Sequence, residues 1–180
     1  MAAIDRGIDA LNEKVGYGAA LLGVPLVIVV ALEVFMRYVV GSPTVWGFEA
    51  TCFIFGVSWA LGLGFTHKRD GHVTVDFVEM KLGKAGRTKL RIATNILFFI
   101  PGTLLLAIGS IQYAVDAWSN WEKNSTSWAP AIYPYKTAMA VGFVLLLLQG
   151  VSKLLADFRS LHSAKEAAAV RATNVPGGMR

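Results

Sequence analysis

Charge is scarce in this 180-residue chain: only 16% of its residues are Asp, Glu, Lys or Arg. What charge there is largely avoids four long apolar blocks, at about 15–40, 46–66, 91–115 and 132–154. Cysteine is nearly missing. The lone Cys52 excludes an intrachain disulfide and a CxxC site, and inside the second block it reads as a small packing residue. Histidine is confined to His67, His72 and His162, so the first, third and fourth blocks offer no ligand for a haem held between facing helices. No GK[ST] loop is present, which weighs against direct ATP hydrolysis. No Ser-His-Asp or Cys-His arrangement is legible either. The chain is therefore read as a non-enzyme with no catalytic residues, no metal site and no cofactor.

What is present is apolar length. A bilayer core of about 30 Å takes about 20 helical residues at 1.5 Å each, and each block is long enough. Hydrocarbon offers the backbone no hydrogen bonds, so the blocks must be helices. The expected fold is all-α and integral to the membrane: four transmembrane helices plus short amphipathic or interfacial helices. Residues 1–158 make one four-span membrane domain, and 159–180 a cytoplasmic tail, helical at first and disordered at its end. The pieces between spans are too short for a separate soluble catalytic domain.

The net charge of +5 does not point to nucleic acid, because the basic residues sit at membrane edges, where they set topology. Fourteen of the 17 Lys and Arg residues lie in 1–14, in 67–91 and in the tail from Lys153; Arg37, Lys123 and Lys136 lie on the other side. The positive-inside rule then places both termini and the middle loop in the cytoplasm.

Ile4, Ile8, Leu11 and Val15 form the apolar stripe of a short amphipathic helix, expected at the membrane surface and running into span one. That span is too long for a signal peptide and is followed by no small-residue cleavage site, so it is retained. Pro25 removes a helix hydrogen bond and is a candidate kink. Glu33 and Arg37, four apart, share one helix face. A charge at the bilayer centre costs about 2.5–3.5 kcal/mol, so Glu33 is expected to face protein. It does so either in a structural pair or in a transport or partner role. Gly41-Ser42-Pro43-Thr44 is a tight turn closing a hairpin of spans one and two, with Thr44 a candidate N-cap.

At the start of span two, Trp46 fits the aromatic belt and Glu49 the positive end of the helix dipole. The dipole alone accounts for Glu49; a polar contact to another membrane helix is the alternative. Gly56, Ala60 and Gly64 form a small-residue face that lets another helix approach closely, in this chain or in a partner. Beyond it lie His72 and Asp76, within or beside a stretch (73–82) read as an interfacial helix; its alternating apolar residues also permit an extended piece. Residues 117–131 hold three tryptophans, Trp128 among them, as interfacial anchors or as a docking surface. Lys136, in the first turn of span four, is expected to snorkel to the headgroups.

Taken in order, these residues resemble a known family. Arg37-Tyr38, Pro43-Thr44-Val45-Trp46 and Glu49 come first, then His72-Val73 and Asp76. Trp128-Ala129-Pro130, Tyr133-Pro134, Lys136 and 145–150 complete the set. It is similar to the small membrane subunit, the DctQ-like component, of tripartite ATP-independent periplasmic (TRAP) transporters. Phe48 stands where many members carry the first of two adjacent acids, leaving Glu49 alone. The resemblance implies a secondary transporter of the bacterial inner membrane. In it a periplasmic substrate-binding protein captures a small organic anion, typically a carboxylate. A large permease subunit carries the substrate and sodium sites, and the small subunit is its scaffold. On that basis Glu33, Arg37, Trp46, Glu49, Gly56, Ala60, Gly64, His72, Asp76, Trp128 and Lys136 are structural or partner-interface residues. The implied partners are the large permease subunit, the binding protein and the lipid bilayer. The residues alone also admit a membrane anchor of a respiratory oxidoreductase, or a small self-sufficient channel.

Overall fold

The computed structural model describes residues 2–69 and 84–173. Within them the chain is helical almost throughout. Helix α1 (Ala2–Leu21) runs into α2 (Gly23–Phe35), with an interruption at Leu22. Pro25 explains its position: it has no N–H to offer the carbonyl of Leu21, so the ladder breaks there, and Leu22 N–H turns to Ala19 O instead. A π-turn, Met36–Val40, ends this first span. Gly41 closes it with φ of 70°, a left-handed conformation that glycine adopts without steric cost, and Ser42 N–H donates back to Met36 O at 3.0 Å.

Helix α3 (Gly47–Lys68) returns. Helix α4 (Lys84–Thr94) leads through a second π-turn, Asn95–Phe99, into α5 (Ile100–Ser119). Pro101 stands in the first turn of α5 and cannot bond the carbonyl of Leu97, so the ladder widens just before it. Helix α6 (Tyr133–Thr173) completes the chain and carries the tail as helix as far as Thr173. The stretches Asp5–Val40, Gly47–Lys68, Gly86–Ser119 and Tyr133–His162 are long and apolar enough to cross a membrane. This is an all-α membrane protein. The expected interfacial piece at 73–82 lies outside the described residues, as does the end of the tail expected to be disordered.

The helices pack as a row. Helices α3 and α6 share the largest contact, α5 packs on α6, and α2 packs on α3 at the opposite edge. Helix α1 fits over the seam and touches both α3 and α6. In the fourth span 44% of the apolar stretch is buried inside the chain, against 6% in the first, so α6 is central and α2 peripheral.

The core is rich in small residues: Ala19, Ala60, Ala107, Ala114, Ala117 and Ala140 are all buried. Large apolar side chains such as Val27, Ile28, Leu97 and Leu105 point outward. That distribution suits a lipid solvent, where apolar side chains gain nothing by turning inward and helices associate by close backbone approach. The face Gly56–Ala60–Gly64 is used inside the chain. A Cβ on Gly142 of α6 would strike the Ala60 carbonyl, and one on Gly56 would strike Tyr135 of α6.

In the N-terminal stretch Asn12, Gly16 and Ala19 are buried against the neighbouring helices, Ile8 and Val15 are half-buried, and Arg6, Leu11 and Lys14 are exposed.

Candidate functional site: polar clusters at the two ends of the bundle

At the end formed by the two short connections, α2 delivers Glu33 to the 41–46 turn. Its carboxylate accepts hydrogen bonds from Arg37 Nη2 at 2.7 Å and from Thr44 N–H at 3.2 Å, and also from the Thr44 hydroxyl. The same hydroxyl oxygen accepts from Gly47 N–H at 3.0 Å, but the N-cap position of α3 is Trp46, which makes no side-chain cap bond, so Thr44 steadies the helix start from two residues outside the cap. A Cβ on Gly47 would stand 2.5 Å from Thr44 Oγ1 and 2.6 Å from Glu33 Oε2, so any larger residue would push these bonded groups aside. Glu33 and Arg37 are thus the lock of the hairpin between α2 and α3.

The longer connection, 120–132, folds back on itself. Asn124 N–H donates to Pro130 O at 2.9 Å and Ile132 N–H to Glu122 O at 3.0 Å. Trp121 and Ala129 take left-handed backbone angles, with φ of 48° and 47°, to make the reversal. The loop sets Asn124 Nδ2 3.3 Å from Glu49 Oε2, so the contact Glu49 makes is to this loop. Trp128 is brought to Trp46, with ring centroids 6.5 Å apart. Trp118, Trp121 and Tyr133 make a second aromatic group.

Lys136 does not snorkel. Its side chain is 4% exposed; its ammonium lies 2.5 Å from Glu122 Oε2 and 3.4 Å from the centre of the Tyr113 ring. A carboxylate and an aromatic face stabilise the cation where it is, so it gains nothing by reaching outward. Glu122, Asn124 and Tyr113 carry no sequence signal for this role. Glu122 sits 14 residues from Lys136 across an irregular loop, and no helical or strand period links them.

The opposite end holds a second set that sequence reasoning also missed. Asn12 is fully buried and donates to Gln149 Oε1 at 2.8 Å; Gln149 Nε2 in turn donates to Asp9 Oδ1 at 2.8 Å. The Asn12 carbonyl oxygen rests against Gly64, where a Cβ would collide with it. Lys68 pairs with Glu13 at 2.8 Å, Arg159 with Asp5 at 2.5 Å, and Arg91 with Asp157. These bonds tie α1 to α3 and α6, and α4 to α6. The available signal was an Asn and a Gln standing alone in apolar surroundings, a pattern that predicts burial but not the partner.

Of the expected site residues, Glu33, Arg37, Trp46, Glu49, Trp128 and Lys136 gather at the connection end. Gly56, Ala60 and Gly64 lie in the seam between α3 and its neighbours. His72 and Asp76 fall outside the described residues. Among the described residues no group of three or more His, Cys, Asp or Glu side chains stands close enough to hold a metal ion. The buried charged side chains among them, Glu33, Glu49, Lys136 and Asp157, all have partners within the chain.

Comparison with known proteins places this arrangement. No curated protein matches the chain. A family model, described as the DctQ component of tripartite ATP-independent periplasmic transporters, matches residues 26–160. The match takes in α2, α3, α5, both polar loops and the membrane part of α6. It makes the chain a transporter component rather than an enzyme. Four membrane-crossing helices and a match over three-quarters of the sequence lead to one conclusion: the chain belongs to the DctQ component family of tripartite ATP-independent periplasmic transporters.

Proposed function

We propose that this chain is the scaffold partner of a large permease subunit. Together with a periplasmic substrate-binding protein, the two import a small organic anion, most simply a carboxylate. Sodium coupling and substrate recognition belong to the large subunit. Both termini face the cytoplasm of a bacterium and the tryptophan-bearing loop faces the periplasm, as the charge asymmetry favours. Glu33, Arg37, Trp46, Glu49, Gly56, Ala60, Gly64, Trp128 and Lys136 serve structure or partner contact, and none takes part in chemistry. His72 and Asp76 are assigned to the same class on sequence grounds alone.

One observation carries this reading: among the described residues, each buried charge is already engaged within the chain. An ion-coupled pathway needs polar groups at mid-membrane that are free to exchange partners. Here they are spent on fastening helices and loops. The oxidoreductase-anchor reading has no support from the family match.

The test is co-purification of the tagged chain from its native host in mild detergent, with mass spectrometry of the proteins that accompany it. A large polytopic membrane protein in equal amount is expected. Proteoliposomes holding that protein, the binding protein and a sodium gradient should take up substrate only when this chain is included. Uptake of equal rate without it would refute the proposal.

A further inference from the structure

A groove of about 530 Å³ runs along the outer side of the α5–α6 seam. Ile111, Val115 and Trp118 form one wall; Val141, Val144 and Leu148 form the other. At one end the Trp118 indole N–H donates to Thr137 Oγ1 at 2.9 Å, and its ring lies 4.3 Å from that of Tyr133. At the other end Leu11 of α1 closes the groove beside Leu148, next to the bond between Asn12 and Gln149.

We infer that this groove holds one acyl chain of a phospholipid from the leaflet at the connection end. Three features support a lipid chain. From Thr137 to Leu148 the groove runs along α6 for about 16 Å at 1.5 Å per residue. Half of a roughly 30 Å hydrocarbon core is about 15 Å, so the groove is as long as one leaflet is deep. Its upper end lies at the Trp118–Trp121–Tyr133 group, and tryptophan and tyrosine collect at headgroup level. Spread over its length, the volume gives a section of about 30 Å², room for a single file of methylenes along the seam. The walls carry no ionisable group, and Trp118 and Thr137 satisfy each other. Recognition is therefore by shape, with little choice among headgroups.

The test uses the full chain in nanodiscs of phosphatidylethanolamine and phosphatidylglycerol. A trace of phosphatidylethanolamine carries a photoreactive diazirine midway along one acyl chain. After illumination, adducts are mapped by mass spectrometry. Adducts on Val115, Val141 and Val144 should exceed several-fold those on Val27, Val30 and Leu97, which also lie on the outer surface. Val141→Phe and Val144→Phe, each made separately, fill the groove from its open side. Each should abolish the excess and leave labelling of α2 unchanged. Even labelling of all exposed apolar residues would overturn the inference, as would an excess that survives in both variants with native circular dichroism. So would cross-links from groove residues to another membrane protein in the native complex, in place of lipid.

Discussion

Glu122→Gln is expected to harm this protein far more than Lys136→Met, although the two residues form one pair. The asymmetry comes from burial. Lys136 has 4% of its side chain exposed and Glu122 has 40%. Removing the carboxylate's charge leaves the ammonium an amide oxygen and the Tyr113 ring, 3.4 Å away, but no counter-charge. Breaking a fully buried pair this way costs about 3–5 kcal/mol. Glu122 is partly hydrated, which lowers what the pair contributes, so about 2–3 kcal/mol is the fitting figure. For a chain of this size that corresponds to a melting shift of about 5–10 °C. Lys136→Met leaves a carboxylate that water can reach, and should cost less than about 1 kcal/mol. The double variant should resemble Lys136→Met, because it strands no charge. Thermal unfolding of the full chain in one detergent, followed by intrinsic tryptophan fluorescence, measures all three. Equal shifts for the single variants, adding up in the double, would refute the reasoning and mean that Lys136 is hydrated after all.

Gly64→Ala should cost about 2–4 kcal/mol, since the new methyl displaces Asn12 and breaks its buried bond to Gln149. Gly62→Ala, two residues away in open space, should be neutral or stabilise by up to about 1 kcal/mol in the same melting assay. Ala60→Leu should lower the yield of monodisperse chain even when it is expressed alone, because its face packs on Gly142 of α6. Normal yield with lost permease binding would move that face to a partner interface. Glu33→Ala frees Thr44 and the 41–46 turn, and should speed proteolytic nicking there by a factor that Glu33→Gln, which keeps an acceptor for Thr44, largely restores.

Much of the architecture was legible in single residues. Pro25 and Pro101 each announce a missing N–H, and the helix ladder is disturbed a few residues before each of them. The Glu33–Arg37 pair rests on a spacing of four, which local geometry honours. Lys136 was misjudged because snorkelling is a rule about one side chain and its distance to water. Its fate was decided by Glu122, which a reversed loop with two left-handed residues brings back to it. At the N-terminal stripe, apolar periodicity marks two faces of a helix, but the partner that Asn12 finds in Gln149 of α6 is not contained in it.

By itself, then, the sequence settled the properties that sum over a local window. These are four helices of membrane-crossing length and an order of residues typical of one transporter family. Hydropathy and backbone hydrogen bonding act over a few residues, so they are readable there. The tertiary structure decided where each buried polar group finds its partner. Asn12 and Gln149 are 137 positions apart, and Glu49 and Asn124 are 75 apart. No local window contains both members of such a pair, and a hydrogen bond exists only once folding has brought them within about 3 Å.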